Sequence, residues 1–249
     1  MIDELVAAIR AGKPVLLPTD TVYGLCASPY QEGPVRALYR LKGRDEHQPT
    51  ALVASDVETL LDCVPELRGR SGTIARALLP GPYTLVFANQ ARRFPWLTGT
   101  RSDTIGVRVP DLSGDARAVL ERVGALAATS ANRPGEGDPR RLDDVPPEIR
   151  VGCAAELDGG ELPGVPSTVI DCTGREPRVL REGAVAAGEA LARIPLAYEL
   201  IRESAYDGRQ WPSRRKASSI CGVQGSSRST PRSRRWSGKS TSASAARSS

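Results

Sequence analysis

The chain has 249 residues, of which 40% are apolar and 25% charged, a composition that supplies a sizeable buried core and excludes a fibrous or wholly disordered protein. Aromatics make up only 4%, so that core has to rest on Val, Leu, Ile and Ala. The formal charge of +5 belongs to one end: residues 206–249 hold ten of the 34 Lys and Arg and a single acid, Asp207, leaving residues 1–205 at about −4, so basicity argues for a polyanionic partner only through the tail.

At the amino terminus, Met1-Ile2-Asp3-Glu4-Leu5 sets acids where a secretory leader needs bases and then an apolar run. No uninterrupted apolar stretch approaches the ~20 residues that span a bilayer, and a cytoplasmic protein without membrane contact is expected. Leu5, Val6 and Ile9 share one face of a helix over residues 3–11, closed by Gly12. Residues 15–17 read as a short buried strand that delivers Thr19, Asp20 and Thr21 at its carboxyl end, where ligands gather in open α/β sheets. A helix over 34–41, opened by Pro34, stops at Gly43, which puts Lys42 in its last turn and Arg44 just beyond. Helices follow over 56–62 and 71–78, and Leu79-Pro80-Gly81-Pro82 turns hard into a strand over 83–88.

The strand over 103–109 alternates, with Ile105, Val107 and Val109 on one face and Thr104, Gly106 and Arg108 on the other. Thr104 and Arg108 then stand ~13 Å apart at ~3.3 Å per residue, far enough to touch two ligands. A helix over 116–123 leads to a small-residue strand over 126–129 that ends at Ser130-Ala131-Asn132. Residues 167–171 and 178–181 read as a strand pair joined through Thr173-Gly174, and 187–193 as a closing helix. Strands and helices mixed without strict alternation predict an α/β or α+β fold with a twisted mixed sheet.

From Asp207 onward thirteen Ser and ten Lys and Arg crowd a stretch almost without aliphatic periodicity, and a disordered tail over 206–249 is expected after a domain over 1–205. Within it Gly238-Lys239-Ser240-Thr241 imitates the end of a phosphate-binding loop, but Ser233 stands where the first glycine is required. Five Cys, without a CxxC pair, lack zinc-site spacing and fit reduced thiols. His47 is the sole histidine, so a Ser-His or Cys-His hydrolase would have to use it, and no nucleophile elbow accompanies it.

The two triplets carry the most chemistry. Lys42-Gly43-Arg44 offers a point charge and a planar fork to phosphates or carboxylates, and Ser130-Ala131-Asn132 adds a hydroxyl and an amide that orient a polar ligand without charge. The plain alternatives are a solvated helix end with Lys42 complementing the dipole and an ordinary turn after a strand.

Together with PTDTVYGL at 18–25, KGRDEHQPTAL at 42–52, LLPGPYTLVF at 78–87, SDTIGVRVP at 102–110, ATSAN at 128–132, PSTVID at 166–171 and RVLREGAV at 178–185, these triplets make residues 1–205 resemble the threonylcarbamoyl-AMP synthase family, built on the YrdC-like domain. The resemblance implies a YrdC-like α/β fold whose sheet lines a large concave site. It also implies synthesis of threonylcarbamoyl-AMP and pyrophosphate from L-threonine, bicarbonate and ATP, with magnesium arriving on the nucleotide. The product would pass to a transferase complex that modifies adenosine 37 of tRNA.

By the same resemblance, Lys42 and Arg44 are catalytic and bind ATP together with Gln48, Thr104, Asn132, Arg140 and Arg181, while Thr21, Arg108, Ser130 and Ser167 hold threonine. Three positions depart from the family pattern: Val53 replaces a frequent His, Arg140 a hydroxyl residue and Gln48 an Asn. The rival readings are the same fold as an RNA-binding module, contacting RNA through its concave face or tail without adenylate chemistry, and a paralogue acting on another small substrate.

Overall fold

Period-two alternation along the strands divides the apolar side chains between the two faces of one sheet. The computed structural model describes residues 1–194; the expected disordered tail and the Gly238-Lys239-Ser240-Thr241 string lie outside the described residues. Nine strands are formed there: β1 (Val15–Pro18), β2 (Tyr23–Ala27), β3 (Ala51–Ala54), β4 (Tyr83–Ala88), β5 (Thr104–Arg108), β6 (Ala125–Ser130), β7 (Ala155–Glu156), β8 (Thr168–Asp171) and β9 (Arg178–Arg181). They make a single mixed sheet in the order β7-β1-β2-β6-β3-β5-β4-β8-β9. The pairs β1/β7, β3/β5 and β4/β8 are parallel and the others antiparallel.

On one face, Leu16, Leu25, Leu52, Leu85, Phe87, Ile105 and Val107 form a continuous core. Covering it are α2 (Glu32–Lys42), α3 (Val57–Cys63) and α4 (Arg70–Leu78), with α6 (Pro147–Val151) and the helical residues 187–194 also contributing buried side chains. On the other face, Val15, Leu17, Cys26, Val53 and Leu126 pack against α1 (Ile2–Arg10) and α5 (Gly114–Val123). That second core draws on β1, β2, β3 and β6 but on none of β4, β5, β8 and β9. Half of one sheet face is therefore left without a helical cover, and the residues pointing there are Thr84, Val86, Thr104, Gly106, Arg108 and Val169.

Most expected elements are present within a residue or two, and β5 alternates as predicted between buried and partly exposed positions. β2 and β3 were not expected. Both lie in the middle of the sheet with apolar side chains on each face, and a strand buried on both sides shows a continuous apolar run instead of alternation. α2 starts two residues before Pro34, with Gln31 as its N-cap.

The β8–β9 corner depends on close backbone approach. The Thr168 hydroxyl donates to the Val185 carbonyl at 2.6 Å and accepts from the amides of Gly183 and Val185, each at 3.1 Å. This knot presses Gly183 so near the preceding loop that a Cβ there would lie 2.2 Å from the Pro166 carbonyl oxygen and 2.7 Å from the Ser167 carbonyl carbon. Backbone cannot yield as a side-chain tip can. Gly183→Ala is expected to destabilise the fold by about 1–3 kcal/mol, measured as a lower urea midpoint with an unchanged m-value.

Candidate active site

The site begins at the end of α2. Gly43 takes φ 68° and closes the helix through a hydrogen bond to Arg40, while the Arg44 amide bonds back to Tyr39, a left-handed stop that only glycine adopts without strain. The stop leaves Lys42 on the inner face, 4% exposed, which excludes the solvated helix end. Its Nζ donates to the Ser130 carbonyl at 2.5 Å, the Asn132 Oδ1 at 2.7 Å and the Ser130 Oγ at 3.2 Å. The Ser130 hydroxyl donates to Asn132 Oδ1 at 2.7 Å, and Asn132 Nδ2 donates to the Glu136 carbonyl at 2.7 Å. Three acceptors thus match three ammonium hydrogens. Burial, reinforced by the nearby Arg44 charge and opposed by Asp138, pushes the Lys42 pKa down to about 8.

Beyond this clamp lies a cavity of about 320 Å³ over the uncovered half-sheet. Arg44 donates from Nη1 to Thr129 Oγ1 at 3.0 Å and from Nη2 to the Pro49 carbonyl at 2.7 Å. Arg108, its side chain largely buried and its pKa lowered by desolvation, has its Nη2 against the Asp20 carboxylate and donating to Thr21 Oγ1 at 2.8 Å. Arg181 donates to the Ser167 carbonyl at 2.8 Å, and the Ser167 and Thr84 hydroxyls share a 2.8 Å hydrogen bond. The buried Nε atoms of Arg44 and Arg108 have no hydrogen-bond partner. An unpaired buried donor is costly, and both belong to residues that line the cavity.

Of the expected site residues, Thr21, Arg44, Thr104, Arg108, Ser130, Ser167 and Arg181 line this cavity. Lys42 and Asn132 stand directly behind Ser130. Gln48 and Arg140 are not brought to it. Gln48 is exposed in the loop after α2, its carbonyl accepting from the Tyr39 hydroxyl at 2.8 Å. The Arg140 guanidinium is taken by Glu161 at 2.7 Å and the Leu162 carbonyl at 3.3 Å. His47 is also exposed and does not line the cavity.

Sequence reasoning placed Thr19 at a ligand-facing strand end, as found, but missed the threonines at 50, 84 and 129 and the carboxylate of Asp138, all in the lining. Thr84 was detectable, since it alternates with Tyr83 and Leu85 on β4. Asp138 is the sole carboxylate in that lining, set against Arg44, Arg108 and Arg181. No group of three or more His, Cys, Asp or Glu able to hold a metal occurs among the described residues.

A family model for the Sua5/YciO/YrdC domain, described as "Telomere recombination", matches residues 7–183. The chain belongs to this family. Among Sua5/YciO/YrdC relatives, the threonylcarbamoyl-AMP synthase of Stenotrophomonas maltophilia is 34% identical over 64% of this chain and 86% of its own length. That of Pyrococcus abyssi is 33% identical over 71% of this chain and 52% of its own. The crystal structure of P. abyssi Sua5 complexed with L-threonine superposes with a TM-score of 0.71 at 33% identity, covering 78% of this chain and 57% of that one. The chain therefore spans little more than half of the P. abyssi protein, and the expected YrdC-like fold is the one observed.

Lys42 also ties this family site to stability. The unfolded chain keeps the lysine protonated up to its ordinary pKa of 10.5, the folded chain only up to about 8. Between those values the unfolded state binds the extra proton, so stability should rise with pH. The wild type should gain on the order of 3 kcal/mol relative to Lys42→Met as pH goes from 7 to 10.5, read from paired urea titrations.

Proposed function

We propose that the chain is an L-threonylcarbamoyladenylate synthase, the activity for which its relatives in P. abyssi and S. maltophilia are named. The observation that carries the reading is the gathering of Arg44, Arg108 and Arg181 around one threonine-rich cavity with Asp138 as its sole lining carboxylate. Such a cavity suits two anionic groups held side by side.

In this reading L-threonine's amine takes up the bicarbonate carbon with loss of water, giving an N-carboxylate. One oxygen of that group attacks the α-phosphorus of ATP in line, and pyrophosphate leaves. Gathering several anions makes positioning and charge neutralisation the main contributions of the protein. Arg44 and Arg181 receive phosphate oxygens, with Thr104 on the same strand face as Arg108 and Asn132 ordering the Ser130 side. Arg108 holds the threonine carboxylate, with Thr21, Ser130 and Ser167 supplying oxygens around the rest of that substrate.

Lys42 acts on the phosphates electrostatically and through Ser130, with which it is already hydrogen-bonded. Magnesium enters on the triphosphate. With Asp138 as the sole lining carboxylate, its ligands would be phosphate oxygens and water, as is common for this ion. Gln48 and Arg140 are left out of the ATP contacts because neither lines the cavity, and the Arg140 guanidinium is engaged by Glu161 and the Leu162 carbonyl. The product is an activated carbamate suited to transfer onto a tRNA adenosine by a downstream enzyme.

The test is pyrophosphate release from ATP and magnesium with L-threonine and bicarbonate each present or omitted. Release should require both, and Lys42→Ala or Arg44→Ala should lower the rate by about 10²–10³ while leaving the fold intact. Release that ignores threonine would assign the cavity to another substrate, and RNA binding without release would favour the binding-module reading.

A further inference from the structure

Asp20 has no part in the roles assigned so far and lies outside the cavity lining, yet behind Arg108 it makes the most buried ion pair among the described residues. Its side chain is 10% exposed and that of its partner, Arg108, 11%. One carboxylate oxygen meets Arg108 Nη2 and the other accepts from the Asp111 amide at 3.1 Å. The carboxylate is therefore held at both oxygens, and the guanidinium is pinned at one nitrogen while its Nε stays free.

The direction of the neighbouring hydrogen bonds is fixed as well. The Thr19 hydroxyl donates to the Val22 carbonyl at 2.7 Å, which commits its single proton. Its oxygen accepts from the Thr21 and Val22 amides at 3.3 and 3.2 Å and lies 3.0 Å from the Thr21 hydroxyl. Thr21 Oγ1 accepts from Arg108 Nη2 at 2.8 Å and keeps a second lone pair. Around Arg108 the wall thus combines a guanidinium with the Thr21 hydroxyl, and the Asp20 carboxylate stands behind them, outside the lining. Around Arg44 it presents cationic donors, with Arg181 close enough to act on both guanidinium groups.

We infer that Asp20 is a positioning residue that fixes Arg108 and makes its surroundings a receptor for a zwitterionic amino acid instead of a simple anion. The inference rests on the threonine reading of the site. A substrate carboxylate pairs with the Arg108 guanidinium in the cavity lining, and its amino group meets the Thr21 oxygen with the Asp20 charge behind it. A phosphate brought to the same place meets the Asp20 charge and is turned back to Arg44, so Asp20 divides one cationic cavity into an amino-acid part and a phosphate part. Like-charge repulsion of this kind supplies specificity more than affinity.

The experiment uses the full chain and follows pyrophosphate release against L-threonine and ATP for wild type, Asp20→Asn and Asp20→Glu, with inorganic phosphate as the probe anion. Asp20→Asn should raise KM for threonine about tenfold or more with KM for ATP within about twofold, and Asp20→Glu should recover part of the loss. Phosphate should compete with ATP alone in wild type and with threonine as well in Asp20→Asn. Parallel changes in both KM values, or a lowered thermal midpoint with neither KM moved, would reduce Asp20 to a structural tie and overturn the proposal. Should Asp20→Asn not fold, wild type still decides, since phosphate competing with threonine there also overturns it. Wild type without threonine-dependent release would instead bring down the synthase reading, an outcome visible before any variant is compared.

Discussion

The ammonium of Lys42 is the constraint on which the rest of the site depends. It joins the last turn of α2 to the end of β6, ninety residues apart in sequence at the Asn132 contact, and it does so with acceptors only. A charge buried in this way is expensive unless every hydrogen is matched, and here each one is. The geometry of the Ser130-Ala131-Asn132 turn is consequently set from behind, and Ser130 reaches the cavity as an already oriented group. The lysine is thereby a foundation of the cavity wall, connected to the cavity through a short, ordered hydrogen-bond relay.

What the sequence revealed depended on which physical signal each residue left. Arg108 was legible because β5 has one covered face and one open face, so polar and apolar positions alternate. Lys42 was legible as chemistry but not as architecture. A lysine in a final helical turn reads as a solvated, dipole-satisfying group, and its burial follows only from partners near residue 130. β2 and β3 left no alternation to read because both their faces are covered. A resemblance carries over a position without carrying over its neighbours, and at Arg140 those neighbours, Glu161 and the Leu162 carbonyl, engage the guanidinium outside the cavity lining.

Asymmetry of the helical cover explains how one sheet supplies both a core and a binding surface. α1 and α5 cover β1, β2, β3, β6 and β7 on the second face and stop there, while on the first face the core continues across β4, β5 and β8. The exposed portion does not become sticky, since small residues, threonines and arginines occupy it in place of Leu and Ile. Its arginines are held by local oxygens, so a cationic surface is kept in place without a bound ligand to organise it.

Because the cover is missing from one side only, stability and recognition are written on alternate residues of the same short strand. Ile105 and Val107 belong to the sealed side, and Thr104, Gly106 and Arg108 to the open one. The two messages are interleaved like the teeth of a comb, each nearly free of the other. Selection can therefore revise what the open side recognises, one tooth at a time, while the backbone that carries it is maintained by residues that never meet the ligand.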